Sequence, residues 1–127
     1  MPLIFLNGGA MRGGPLNYLL EGASFAGEAK TAAQYRFYSV DDRFPGLHPV
    51  AYSGVPISGE LFDVPMDVLR DRLLPAKSPK LELGVIALED NRSVLSMVLR
   101  RPVLSDPELV DITDFGSWQS YREEIAR

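Results

Sequence analysis

Leu3-Ile-Phe-Leu-Asn-Gly-Gly-Ala-Met-Arg-Gly-Gly-Pro-Leu-Asn17 is the stretch on which the fold turns. Four consecutive apolar residues, Leu3 to Leu6, bounded by Asn7-Gly8-Gly9, predict a short buried strand over Pro2 to Leu6. The glycines at 8, 9, 13 and 14 let the backbone come close to a bound group. Successive N–H groups in such a loop can form a nest for a carboxylate or other anion. Pro15 suits the first position of a helix, and Leu16, Leu19 and Leu20 would give that helix one apolar face before Gly22 ends it. Two readings of the loop stand side by side: a tight strand-to-helix connection, and a ligand-binding nest. A phosphate loop is excluded. Gly8 to Gly13 has the Walker spacing, but Gly14-Pro15 stands where Lys-Ser/Thr is required.

Outward from this stretch the punctuation is clear. Ser24 to Lys30 and Tyr35 to Val40 read as strands, separated by a turn over Thr31 to Gln34. Phe44 to Pro56 carries Pro45, Pro49 and Pro56, and is predicted to be irregular. Ile57 to Phe62 reads as a strand, with Gly59 marking a bend or a close backbone approach. Asp63 is the predicted cap of a helix in which Val68, Leu69 and Leu73 share a face and Pro75 is the stop. Leu81 to Leu88 and Ser93 to Arg100 form the clearest hairpin, apolar on both faces and so predicted to be covered on two sides. A polar helix, Ser117 to about Arg127, is capped by Ser117 or Asp114 and carries Phe115, Trp118, Tyr121 and Ile125 on one stripe. That stripe packs on the chain's own sheet or docks a second subunit.

At 127 residues with 46% hydrophobic and 24% charged residues, the chain has the composition of one soluble globular domain with a real core. The net charge of −4 and the lack of a basic stripe argue against nucleic acid. With no cysteine and a single histidine, His48, neither thiolate chemistry, a disulfide framework nor a metal site is expected. No signal peptide or membrane span is visible, which makes a cytoplasmic protein the default.

Several blocks, in order, resemble one family. Phe5-Leu-Asn-Gly-Gly-Ala-Met-Arg-Gly13, Phe25 to Tyr38, Phe44-Pro-Gly-Leu-His-Pro49 and Gly59-Glu-Leu-Phe-Asp-Val64 are similar to the successive motifs of the γ-glutamylcyclotransferase-like family. Gly14-Pro-Leu-Asn17 and Leu81-Glu-Leu-Gly-Val-Ile-Ala-Leu-Glu-Asp-Asn91 bring the resemblance closest to the C-terminal domain of allophanate hydrolases. The resemblance covers roughly residues 3 to 100. It implies an α+β fold, a small mixed β-barrel-like sheet with two or three helices. Residues 1–102 would form the domain, and 103–127 a C-terminal extension whose helix packs on it.

In the cyclotransferases, the loop after the first strand binds the γ-glutamyl group through backbone amides, and a glutamate in a Glu-Gly turn is the general acid/base. Here the corresponding turn reads Leu74-Pro-Ala-Lys-Ser-Pro79, with Lys77 near the place of the acid. In the allophanate hydrolases the domain follows an amidase domain, whose Ser-Ser-Lys signature is not found in this chain.

The candidate site therefore lies between the Asn7–Gly14 loop and the strand that opens at Glu82. Glu82, if it faces the barrel, would be a desolvated acid/base, and Glu60 is the second carboxylate among apolar neighbours. Asn7, Gly8, Gly9, Ala10, Met11, Arg12 and Tyr38 are the ligand-binding candidates. Gly8 to Ala10 supply amide donors, Arg12 could clamp a carboxylate, and Tyr38 (or Tyr35) could add a hydroxyl. The expected ligand is a small amide, carbamate, γ-glutamyl or amino acid-like compound, handled without a cofactor. The competing reading is a non-catalytic binding or docking module, forming a homo-oligomer through the C-terminal helix.

Overall fold

The computed structural model describes residues 2–126. Eight strands form one mixed, curled sheet: β1 (Leu3–Leu6), β2 (Ser24–Lys30), β3 (Tyr35–Val40), β4 (Phe44–Pro49), β5 (Ser58–Asp63), β6 (Leu81–Ala87), β7 (Ser93–Leu99) and β8 (Val110–Asp111). The order is β2-β5-β1-β7-β4-β3-β8, with β6 on β7. The curl brings β2 and β6, at the two ends of the run β2-β5-β1-β7-β6, together. Ala32 N–H donates to Ala87 O at 2.9 Å and Glu89 N–H to Lys30 O at 3.0 Å, which ties the end of β2 to the end of β6.

Strand alternation sends neighbouring residues to opposite faces, and both faces are covered. Phe5 joins Phe37, Leu47, Ile57, Leu61 and Ile86 inside the curl. Ile4 and Leu6 join Leu20, Phe62, Val68, Leu69 and Leu73 beneath the central helix, residues 66–76. The β6–β7 hairpin runs in register from Leu81↔Leu99 to Ala87↔Ser93, as its alternation predicts. Gly59 marks a close approach rather than a bend. A Cβ there would lie 2.5 Å from the Phe5 ring and 2.6 Å from Leu6 O, so β1 and β5 pack closely at this point.

The central helix contains a wide π-type turn at Leu69–Leu73 and runs one residue past Pro75, to Ala76. Asp63 is not its cap. It ends β5, and Pro65 occupies the cap position with no side-chain bond. The helix expected after the glycine loop is a single 3-10 turn, Asn17–Leu20, because the loop closes on itself first: Gly14 N–H donates to Met11 O and Leu16 N–H to Gly9 O. The segment from Phe44, expected to be irregular, begins as β4. Its prolines are tolerated because β4 meets β7 only at Leu47↔Val98, so few inward donors are needed.

The C-terminal helix, Trp118–Ile125, is capped by Ser117, whose hydroxyl accepts from Ser120 N–H at 3.1 Å. Trp118 and Tyr121 lie in the same buried cluster as Phe5 and Phe37, whereas Phe115 and Ile125 stay largely exposed. The expected helix end at Arg127 lies outside the described residues. Among the described residues no helix is long and apolar enough to cross a membrane.

Candidate functional site

A fork in the sheet builds the site. β1 and β4 both run parallel to β7 and share its one edge. β1 pairs with it at Ile4↔Leu95 and Phe5↔Ser96, then leaves; β4 takes over at Leu47↔Val98. The backbone groups of Asn7 and Gly8 are thereby released from the ladder. A hollow of about 140 Å³ opens at this divergence. Asn7, Gly8, Gly9 and Ala10 form one wall, Phe44 and Pro45 another, and Ala76, Lys77 and Ser78 at the end of the central helix a third. Leu81, Ser96 and Met97 also contribute to the lining. Gly8 has no room for a side chain, since a Cβ would meet the Pro45 ring at 2.7 Å.

The polar groups of this hollow are incompletely satisfied. Asn7 is 8% exposed, and its Nδ2 is buried with no hydrogen-bond partner. A buried donor left unpaired costs about 1–3 kcal/mol. The N–H groups of Gly8, Gly9 and Ala10 enter none of the turn bonds that close the loop. Lys77 donates from Nζ to Leu81 O at 3.1 Å, and among the described residues no carboxylate pairs with it. Ser96 is the satisfied member: its hydroxyl donates to Phe5 O at 2.9 Å and holds β1 on β7 just before the fork.

The structure divides the predicted site residues. Asn7, Gly8, Gly9 and Ala10 come together in the hollow. Met11 and Arg12 turn to the other side of the loop. There Glu60 accepts from Arg12 N–H at 2.7 Å and from Arg12 Nε at 3.1 Å, and the guanidinium lies 3.6 Å from the centre of the Phe25 ring. Tyr38 is on β3, paired with Asp111, and packs on the Val40–Leu81–Leu99 cluster without lining the hollow itself. Burial first, and Asp111 second, hold its hydroxyl above the usual phenol pKa.

Glu82 also departs from its expected place. Its neighbour Leu81 lines the hollow, so alternation sends Glu82 to the opposite face of β6. There it is half-exposed and bridges to Arg100 at 3.1 Å. The expected convergence of Glu82 with the glycine loop is not formed. Lys77, Ser78 and Ser96 were the less visible members. Lys77 carried a signal, since it stands near the place of the related family's acid. Ser96 carried a fainter one, as a hydroxyl set between Leu95 and Met97. His48 is on β4, and burial, then Arg101, lowers its pKa.

A model of the allophanate hydrolase C-terminal domain matches residues 2–123. The chain belongs to that family. Among curated relatives, a urea amidolyase from Lachancea kluyveri is 27% identical over 121 residues, 90% of this chain and 7% of the relative. The chain thus spans a small fraction of that relative's length. Among solved structures, a uropathogenic E. coli-specific protein matches with a TM-score of 0.89 at 31% identity, covering 96% of this chain and 95% of that one. The Kluyveromyces lactis allophanate hydrolase matches with a TM-score of 0.90 at 28% identity, covering 98% of this chain and 21% of that one. An AIG2-like protein from Mus musculus, at 22% identity and a TM-score of 0.63, covers 85% of this chain and 81% of that one, and shows the fold alone. The allophanate hydrolase C-terminal domain in this chain is accordingly an α+β domain with a γ-glutamylcyclotransferase-like curled sheet, as its sequence blocks imply.

Proposed function

We propose that this domain binds a small molecule in the hollow at the β1–β4 fork, gripping a carbonyl or carboxylate oxygen of the ligand. The observation that carries this reading is the Asn7 amide, buried beside a cavity with a donor that nothing in the protein satisfies. A ligand oxygen would supply the missing acceptor, assisted by the N–H groups of the glycine loop. Membership in a family named for allophanate hydrolase supports compounds of the amide and carbamate kind as ligands. Glu82 lies on the other face of its strand, so the reading rests on binding and assigns Glu82 no proton transfer. The docking alternative is less well supported, because Trp118 and Tyr121 are already buried in the domain's own core.

Titration of the 15N-labelled protein with small amides, carbamates and carboxylates tests the proposal. Shifts of the Gly8 and Gly9 amide resonances, lost in Asn7→Leu, are expected. Titrations in which no compound moves these resonances would refute it.

A further inference from the structure

The hollow has a second property, which concerns the whole ligand and not just its oxygen. Its lining carries three sets of donors: the Asn7 Nδ2, the glycine-loop N–H groups and the Lys77 ammonium. The other lining side chains are mostly hydrocarbon, with Leu16, Leu19, Phe44, Leu73 and Met97 among them, and the two hydroxyls are already engaged, Ser78 accepting from Lys80 N–H and Ser96 donating to Phe5 O. No aspartate or glutamate lines it among the described residues. Lys77 has no carboxylate in ion-pair reach there, and its one bond is to a neutral carbonyl.

These facts sort ligands by charge. A carboxylate would meet an uncompensated cation and several free donors, a combination of charge-assisted bonds. An ammonium group would lose its water and find no counter-ion, which is costly in a small, largely apolar site. An apolar body would displace water from the leucine and methionine walls at a gain of about 25 cal/mol per Å² buried.

We infer that the ligand of this hollow is a compact monocarboxylate with an apolar body, and that Lys77 is the residue that selects its charge. This rests on the binding reading above. It narrows that reading from a carbonyl or carboxylate oxygen to a carboxylate, and it sets aside the amino acid-like and γ-glutamyl compounds expected from the sequence, whose α-ammonium has no partner in the hollow.

Three probes of nearly equal shape separate the possibilities: 3-methylbutanoate, its neutral amide 3-methylbutanamide, and the free amino acid valine, which adds an α-ammonium to the same carbon skeleton. Their dissociation constants are measured by following the Gly8 and Gly9 amide resonances of the full chain. The carboxylate should bind at least ~10-fold more tightly than the amide, and valine at least ~10-fold more weakly than the carboxylate. Lys77→Gln should bring the carboxylate-to-amide ratio close to one while leaving amide binding in place, and Lys77→Arg should restore the preference.

Valine binding as well as 3-methylbutanoate, or a ratio unchanged in Lys77→Gln, would overturn the inference while the binding reading survived. The comparison among the three probes on the unaltered protein decides the matter even if a Lys77 variant does not fold. If none of the three moves Gly8 or Gly9 but a small polar amide or carbamate does, the monocarboxylate is wrong and the hollow is still a site. If no compound of any class moves them, both conclusions fall.

Discussion

The two sides of one loop differ in how far their polar groups are satisfied. On the Arg12 side, Glu60 takes both an N–H and the guanidinium of Arg12, and Phe25 lies under that guanidinium. The exposed Glu28 adds a contact at 3.6 Å. On the Asn7 side, five residues earlier, a buried amide nitrogen has no acceptor and a lysine has no counter-ion among the described residues. The lesson is that charge density is a poor guide to a site here. The side rich in carboxylates is closed on itself and holds the loop in place. The side with one amide and one lysine has unused bonding capacity, which is what the proposed ligand would use.

This contrast can be broken in steps. The largest effect should come from the scaffold common to both sides. Gly59→Ala puts a methyl group into the Phe5 ring and the Leu6 carbonyl, and should destabilise the fold by about 3 kcal/mol in urea unfolding, since neither neighbour can easily retreat. It should disturb the Asn7 and Arg12 sides together. Glu60→Ala comes next. It removes the acceptor of Arg12 N–H, and should cost about 1–2 kcal/mol, with the ion pair adding little because Arg12 is half-exposed. Ligand affinity at the hollow should stay within twofold, as about the scatter of such titrations.

Asn7→Leu is the sharper test. Replacing an unpaired buried donor by an apolar group of similar size should leave stability unchanged or raise it by about 1 kcal/mol. Binding should be abolished. A residue that lowers stability while serving binding is what the comparison requires of Asn7, whereas a merely structural amide would lose stability on replacement.

How much of this was visible beforehand depended on local signals. β1, β3, β5 and the β6–β7 hairpin stood out because their apolar runs end at turn residues, and the structure keeps those limits within a residue or two. β4 was hidden, because Pro45 and Pro49 argue against a strand, and only its single bridge to β7 makes them harmless. The loop residues Asn7 to Ala10, picked out because glycines after a strand mark exposed N–H groups, do form one wall of the hollow. Glu82 was not placed correctly. Alternation says that Leu81 and Glu82 face opposite ways, but not which way the hollow lies, and that is set by the fork between β1 and β4. The unpaired state of Asn7 Nδ2 is likewise a tertiary fact, with no local signature.

The smallest predicted effect concerns the β3–β4 turn, where Asp42 and Tyr121 do not line the hollow, and serves as a control. The Asp42 carboxyl is held below its usual 3.8, by the Tyr121 hydroxyl first and Ser39 second. A group that ionises more readily in the fold adds stability above its unfolded pKa, and that stability is lost as pH falls through the folded one. Tyr121→Phe should therefore flatten the acid limb of the stability profile around and below 3.8. The measurement is the urea midpoint across acid pH, and ligand affinity at neutral pH should be unaffected.

The most direct test of the account is the side-chain correlation spectrum of the 15N-labelled protein, with Asn7 Nδ2 and Arg12 Nε followed together as 3-methylbutanoate is added. The account predicts that the Asn7 signal moves with saturation while that of Arg12, already held by Glu60, stays still. An Asn7 signal that does not respond, while Arg12 moves, would contradict it.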